Sequence, residues 1–206
     1  MKNQDWLVTN EGECQPRPSQ REWDLLRERY YFHQFLTEII EILGQAPSEA
    51  EEWDYLPQIR MRVRQLVLNS YWLRSQYQEP NPQTGVAIIP LYDEIGYPLT
   101  VETVVFAPGV TTSVHNHGTW GAIALIRGQE KHTFWRRSHD AIHSDRVERV
   151  GERVFTPGEL VSFMPHAIHS VEVVGDEPTV SFNLYGDVQP RSRFRFNLAN
   201  HTAKVF

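Results

Sequence analysis

The sequence predicts a mainly β chain, a sandwich or small barrel, with a helical segment in front of it. Two observations carry this reading. The first part of the chain places apolar residues at three- and four-residue spacing. The rest breaks into short β-rich runs roughly 8–12 residues apart, punctuated by Gly and Pro. A third observation excludes other classes: of 206 residues 40% are hydrophobic and 22% charged, globular values rather than those of a disordered or collagenous chain.

Taken in order, residues 1–16 read as a loose tail. SQREWDLLRERYYFHQFLTEIIEILG then sets Trp23, Leu26, Tyr30, Phe32, Phe35, Ile39, Ile40 and Leu43 on one helical face, with Ser19 and Glu22 as a capping box and Gly44 as the stop. PSEAEE opens a second helix that carries Leu56, Ile59, Val63, Leu66 and Val67 toward Tyr71 and Trp72. QEPNPQTG, with two prolines and a glycine, is the linker out of the helices. The runs VAIIPLYD, LTVETVVFAPG, TTSVHNHGTW, GAIALIRG, EKHTFWRR, ERVFTPG, ELVSFMPH, HSVEVVG and PTVSFNLYG follow as strands. This organisation divides the chain into residues 1–80, a tail and helices packing on the barrel, and residues 81–206, the barrel itself, within one structural domain overall.

The net charge of −6 argues against nucleic acid as a partner. No run approaches the ~18 apolar residues of a membrane span, and the N-terminus lacks the apolar core of a secretion signal. Cys14 is the only cysteine, so neither an intrachain disulfide nor a cysteine-based metal knot can form. The expectation is a reduced, cytoplasmic, soluble protein. The sequence carries no signal of oligomeric state.

Two of the nine histidines, His115 and His117, flank Asn116 inside a strand-like run. Side chains two apart on a strand share a face, roughly 6.6 Å from one another. Two neutral imidazoles converging on one point suit a divalent metal, which binds imidazole nitrogen at about 2.1 Å. The bland alternative is a hydrogen-bonded or surface pair. Further on, PGELVSFMPHAIHSVEV offers His166 and His169. Three residues apart on a strand, they face opposite ways and cannot both ligate. His169 is preferred, because His166 follows Pro165 in the turn before the strand. His33, His132, His139, His143 and His201 read as surface or structural residues, and only His132 of these lies on a barrel strand.

Gly109, five intervening residues, His115-Asn116-His117 and then Gly128 resemble the first cupin motif, G-x5-H-x-H-x3/4-E-x6-G. Gly158, Pro165 and His169 resemble the second, with P-x-A-x-H in place of P-x-G-x2-H. The resemblance implies a cupin double-stranded β-helix preceded by the helical segment. The glutamate of the first motif is missing: its position falls on Gly121 or Ala122. Three neutral histidines leave a bound ion its full charge, which favours anionic ligands such as thiolate in the open positions.

Within the cupins, this loss together with HNHGTWG resembles the thiol dioxygenase branch, the cysteine dioxygenases and bacterial 3-mercaptopropionate dioxygenases. That branch carries a Ser-His-Tyr set on a strand after the third histidine. Here TVSFNLYG supplies Ser181 and Tyr185, with Asn183 where the histidine would stand. The resemblance covers roughly residues 85–195. It implies Fe(II) held by His115, His117 and His169, a small thiol and O2 as the reacting partners, and a sulfinic acid as product. Nickel and zinc also suit three imidazoles. It implies catalytic roles for Tyr185, Ser181 and Asn183, although Asn183 cannot shuttle a proton as imidazole can. Arg193, eight residues after Tyr185, matches the arginine that clamps a substrate carboxylate in the 3-mercaptopropionate branch. The alternatives are a different metal-dependent cupin enzyme, such as an isomerase or non-thiol dioxygenase, and a non-catalytic cupin that binds a small molecule.

Overall fold

Residues 4–19, 29–47, 51–94, 96–138 and 145–206 are described in a computed structural model. Trp23, Leu26 and Glu22 of the first expected helix, part of the PSEAEE start signal, and His139 and His143 lie outside these residues.

Two sheets form the body of the protein. The first contains β1 (Asp5–Val8), β2 (Cys14–Arg17), β3 (Val86–Asp93), β4 (Thr100–Phe106), β6 (Gly121–Arg127), β9 (Leu160–Phe163) and β11 (Thr179–Tyr185), in the order β2-β1-β9-β6-β11-β4-β3. The second contains β5 (Val114–His115), β7 (Glu130–Arg137), β8 (Val147–Phe155), β10 (Ile168–Val173), β12 (Phe194–Asn197) and β13 (Thr202–Val205), in the order β13-β12-β5-β10-β7-β8. From β4 to β7 and from β8 to β12 successive strands fall in opposite sheets, the arrangement of a double-stranded β-helix, and helices precede it. The expected fold class is therefore the observed one.

Alternation along the strands decides which side chains face the barrel interior. On β11, Phe182 and Leu184 face out against the helices, while Ser181, Asn183 and Tyr185 face the interior cavity. Both faces are covered, so the strand is apolar on one side and polar on the other yet buried from Thr179 to Leu184, with Tyr185 half-buried. The covering helices are α1 (Phe32–Gln45), α2 (Glu52–Asn69) and the short α3 (Tyr71–Ser75). Phe35 of α1 meets Phe182 edge-on with ring centres 5.9 Å apart. Leu56, Ile59, Val63 and Leu66 of α2 lie in the same apolar cluster as Ala122, Ala124 and Leu160. None of the described helices is long and apolar enough to cross a membrane.

Four expectations are corrected. The supposed loose tail forms β1 and β2: β1 pairs in parallel with β9 and antiparallel with β2. What fixes it is Asp5, 3% exposed, which accepts a hydrogen bond from Arg64 and lies 3.7 Å from Arg60, both buried on α2. Gly44 is not a helix stop; α1 runs on to Gln45, and Ala46 turns extended (φ −64°, ψ 129°) because Pro47 follows it. Nor is the first helix continuous from Ser19, since Arg29–Tyr31 are non-helical and α1 starts at Phe32. The strand carrying the histidine pair stops at His115, so His117 stands on the loop beyond it.

β12 and β13 were not anticipated as strands. They extend the second sheet beyond β5, with Arg195 of β12 directly opposite His115. On the other side of β5, His169 of β10 is opposite His115. One short strand is thus held between an arginine and a histidine.

Candidate metal centre

His115, His117 and His169 come together in the barrel: one nitrogen from each lies within 4.8 Å of the others, the single such group of three among the described residues. Cross-strand pairing brings His115 to His169. His117 reaches the same point from the loop because Gly118 adopts φ +67°, turning the chain back. A Cβ at Gly118 would sit 3.0 Å from the Gln189 carbonyl oxygen, so the turn requires glycine. The asparagine between the histidines is structural. Asn116 is buried, donates to the Ser192 carbonyl at 2.8 Å and accepts from the Phe194 N–H at 2.7 Å, pinning the loop to β12.

For His115 and His169 the hydrogen bonds leave one nitrogen bare. His115 Nδ1 donates to the Ser113 carbonyl at 2.8 Å, so its Nε2 carries the lone pair. His169 Nδ1 contacts His132 Nδ1 at 3.3 Å, His132 Nε2 lies 3.2 Å from Glu130 Oε2, and Thr179 donates to Glu130 Oε1 at 2.7 Å. Read from the carboxylate outward, His132 donates to Glu130 and accepts from His169, which leaves His169 Nε2 bare. His117 Nε2 and His169 Nε2 are 2.9 Å apart. Burial keeps all three imidazoles neutral at pH 7: it pushes His115 down to about 4 and His117 and His169 well below their usual value. Neutral, converging, bare nitrogens are what a divalent ion of the zinc, nickel or iron type requires, so the donor set fits a metal.

The absent carboxylate has a spatial explanation. A Cβ at Gly121 would sit 3.0 Å from the Tyr185 ring, so that ring fills the space a longer side chain would enter. Ala122 is fully buried on the opposite, helix-facing side. A carboxylate at position 121 would have to displace the Tyr185 ring, and one at 122 would point away from the histidines.

Tyr185 instead stacks on His117, ring centres 4.7 Å apart at 28°. Its hydroxyl donates to Asn183 Oδ1 at 3.4 Å, and Asn183 Nδ2 donates to Ser181 Oγ at 3.0 Å. Ser181, Asn183 and Tyr185 thus form one hydrogen-bonded row facing the histidines. Burial, with the Glu102 carboxylate next, raises the Tyr185 pKa, so the phenol stays protonated. Arg193 lines the same cavity, of about 460 Å³, and its guanidinium lies 4.3 Å from the Phe206 ring centre.

The structure therefore gathers all seven expected site residues around one cavity. His166 is exposed outside it, its backbone N–H donating to Asn10 at 2.9 Å. Cys14 is also elsewhere, packed beside Trp6 and Val8. His132 corrects the sequence reading: it is 1% exposed and lines the cavity. Alternation in EKHTFW sets His132 on the same face as the apolar Phe134, and this was the signal for it. Glu102, Glu130 and Arg195 also line the cavity and were not singled out.

No protein-family model matches the chain. Among solved structures it is similar to an oxalate oxidase in complex with the substrate analogue glycolate, with 19% identity and a TM-score of 0.42 over 60% of this chain and 61% of that one. A second is a Bacillus subtilis oxalate decarboxylase with Mn(II) centres, with 22% identity and a TM-score of 0.41 over 54% of this chain and 28% of that one. A third is the Cupin_2 domain of an XRE family transcriptional regulator from Enterobacter cloacae, with 15% identity and a TM-score of 0.37 over 51% of this chain and 99% of that one. These are cupin-fold proteins. The chain spans about three-fifths of the length of the oxalate oxidase. At such identities the likeness lies in the path of the backbone.

Proposed function

We propose that this protein is an Fe(II)-dependent thiol dioxygenase that oxidises a small carboxylate-bearing thiol, of the cysteine or 3-mercaptopropionate type, to its sulfinic acid. The observation that carries the reading is the site's composition: three neutral imidazoles, no carboxylate among them, and a protonated tyrosine stacked on one. When bound, Fe(II) supplies the redox chemistry by which both atoms of O2 are joined to a thiolate sulfur.

The chain's own groups account for the rest. Arg193 takes the substrate carboxylate and so fixes which way the thiol points. Tyr185 donates a hydrogen bond into the site from a phenol that its surroundings keep protonated. Ser181 and Asn183 orient that phenol, and Asn183 holds the row together without handling a proton. The apolar walls, Val104 and Ile123 among them, limit water in the cavity.

Asn183, where the resembling enzymes carry histidine, favours a second reading, a metal-dependent cupin enzyme acting on a non-thiol substrate. One experiment separates the two. Purified protein is loaded anaerobically with Fe(II), and oxygen uptake is followed against a panel of small thiols with mass detection of sulfinates. Stoichiometric uptake with one thiol is expected. An iron-replete protein that consumes no oxygen with any thiol would sink the first reading and leave the second.

A further inference from the structure

Among the described residues lining the cavity, Glu102 is the one carboxylate that is half-buried and unengaged. Alternation on β4 turns Thr100, Glu102, Val104 and Phe106 to the cavity and Val101, Thr103 and Val105 away. Glu130, by contrast, is occupied by Thr179 and His132, and Asp93 is exposed. No hydrogen bond or ion pair reaches the Glu102 carboxylate from any described residue, yet Asn183 stands directly opposite on β11 and Tyr185 feels its charge.

Arg193 is its counterpart. Its Nε is buried with no hydrogen-bond partner. It attracts Glu102 through space, but no ion pair joins the two. Taking a carboxylate out of water without a partner is costly, and burial raises the pKa of Glu102 accordingly. Asp93 on the neighbouring strand adds to the negative potential at this wall.

We infer that Glu102 is a specificity-determining residue that receives a substrate ammonium group, so that the preferred ligand carries an ammonium beside the carboxylate taken by Arg193. A zwitterion satisfies both unpaired groups at once, and a thiol on its third arm is left to face the histidines. The amine is then held by a protein carboxylate. This rests on the thiol dioxygenase reading for the thiol arm, but the two-signed wall stands independently of it.

The test is anaerobic calorimetric binding of L-cysteine and of 3-mercaptopropionate to the iron-loaded protein, beside a separate assay for sulfinate. Wild-type protein is expected to bind cysteine about tenfold more tightly than 3-mercaptopropionate, the scale of one charged hydrogen bond. Glu102→Gln is expected to remove that preference by moving the affinities in opposite directions, weakening cysteine and strengthening 3-mercaptopropionate. Glu102→Asp keeps the charge and is expected to retain the preference. Equal wild-type affinities, or Glu102→Gln and Glu102→Asp behaving alike, overturn the proposal. If 3-mercaptopropionate is still oxidised in that case, the dioxygenase reading stands and the ammonium subsite alone falls. If neither thiol binds and neither is oxidised, both fall.

Discussion

At the residue scale, His132 connects the candidate centre to the rest of the core. It lies between His169 and Glu130, with Phe155 edge-on at 4.9 Å and Phe163 stacked at 6.1 Å between ring centres. Those aromatic contacts would hold any flat side chain there; the hydrogen bonds require imidazole. His132→Phe should therefore keep the packing and lose the orientation of His169. Losses of roughly 10- to 100-fold in metal affinity accompany the removal of such outer partners, read by competition with a chromophoric chelator. An unchanged affinity would show that His169 is oriented by packing alone. The same imidazoles predict a pH dependence for metal-free protein. His115 is held at about 4 by burial, against about 6.5 in an unfolded chain. The unfolded state thus binds the proton first, and stability falls as pH drops from about 6.5 toward 4. Burial lowers His117 and His169 as well, so they act in the same direction. Each such proton contributes a slope of about 1.4 kcal/mol per pH unit, which urea midpoints between pH 4.5 and 7 can measure. A flat profile in this window would mean that the histidines are not buried without metal.

At the scale of elements, the join between β1 and α2 combines a buried charge cluster with an apolar contact, Leu7 lying in the same cluster as Leu56, Ile59, Val63 and Leu66. Asp5 meets both Arg60 and Arg64, and Arg60 also donates to Ser162 Oγ at 2.9 Å while Arg64 donates to the Gly158 carbonyl at 2.8 Å. Asp5→Ala leaves two buried guanidinium groups without their counter-charge. Removing one partner of a buried pair costs roughly 3–5 kcal/mol, and urea unfolding should show a loss on that scale. A loss near zero would mean that water reaches the two arginines. No pattern in the sequence announces this join: DWLV is four residues long, and its meaning depends on arginines some 55–60 positions away. The barrel strands were legible because alternation and Gly or Pro punctuation are local properties, as on β11, where the parity of TVSFNLY puts Ser181, Asn183 and Tyr185 on one face. The convergence of His115 with His169 was legible only through motif resemblance, since register between distant strands is set by packing. His117 shows the limit of periodicity alone: it joins the other two after its strand has ended, through a glycine turn.

For the whole molecule, the candidate centre sits where the two sheets meet. His115 and His169 belong to the six-stranded sheet, while Tyr185, which stacks on His117, belongs to the seven-stranded one. Arg193 enters from the turn that leads into β12, a strand that Asn116 ties to the histidine loop. An ion held by the three imidazoles would therefore brace a loop and a strand pair that both sheets contact, and it would bind the folded chain alone. Linkage then fixes the consequence: at a free metal concentration 100 times the dissociation constant, the folded state gains about 2.7 kcal/mol. For a chain of this size that corresponds to roughly 5–10 °C in melting temperature. Calorimetry of protein loaded with Fe(II) under argon, and of the same protein after chelation, should show this difference. His169→Ala should melt at one temperature with or without metal. The shift should also shrink as pH falls to about 4 and below, because protons then compete for the nitrogen of His115 that would hold the ion. If chelation leaves the melting temperature unmoved at pH 7, the imidazole cluster does not hold a metal in the folded protein. The iron chemistry proposed for it would then have no seat, while the cavity and its opposed charges would still call for a ligand.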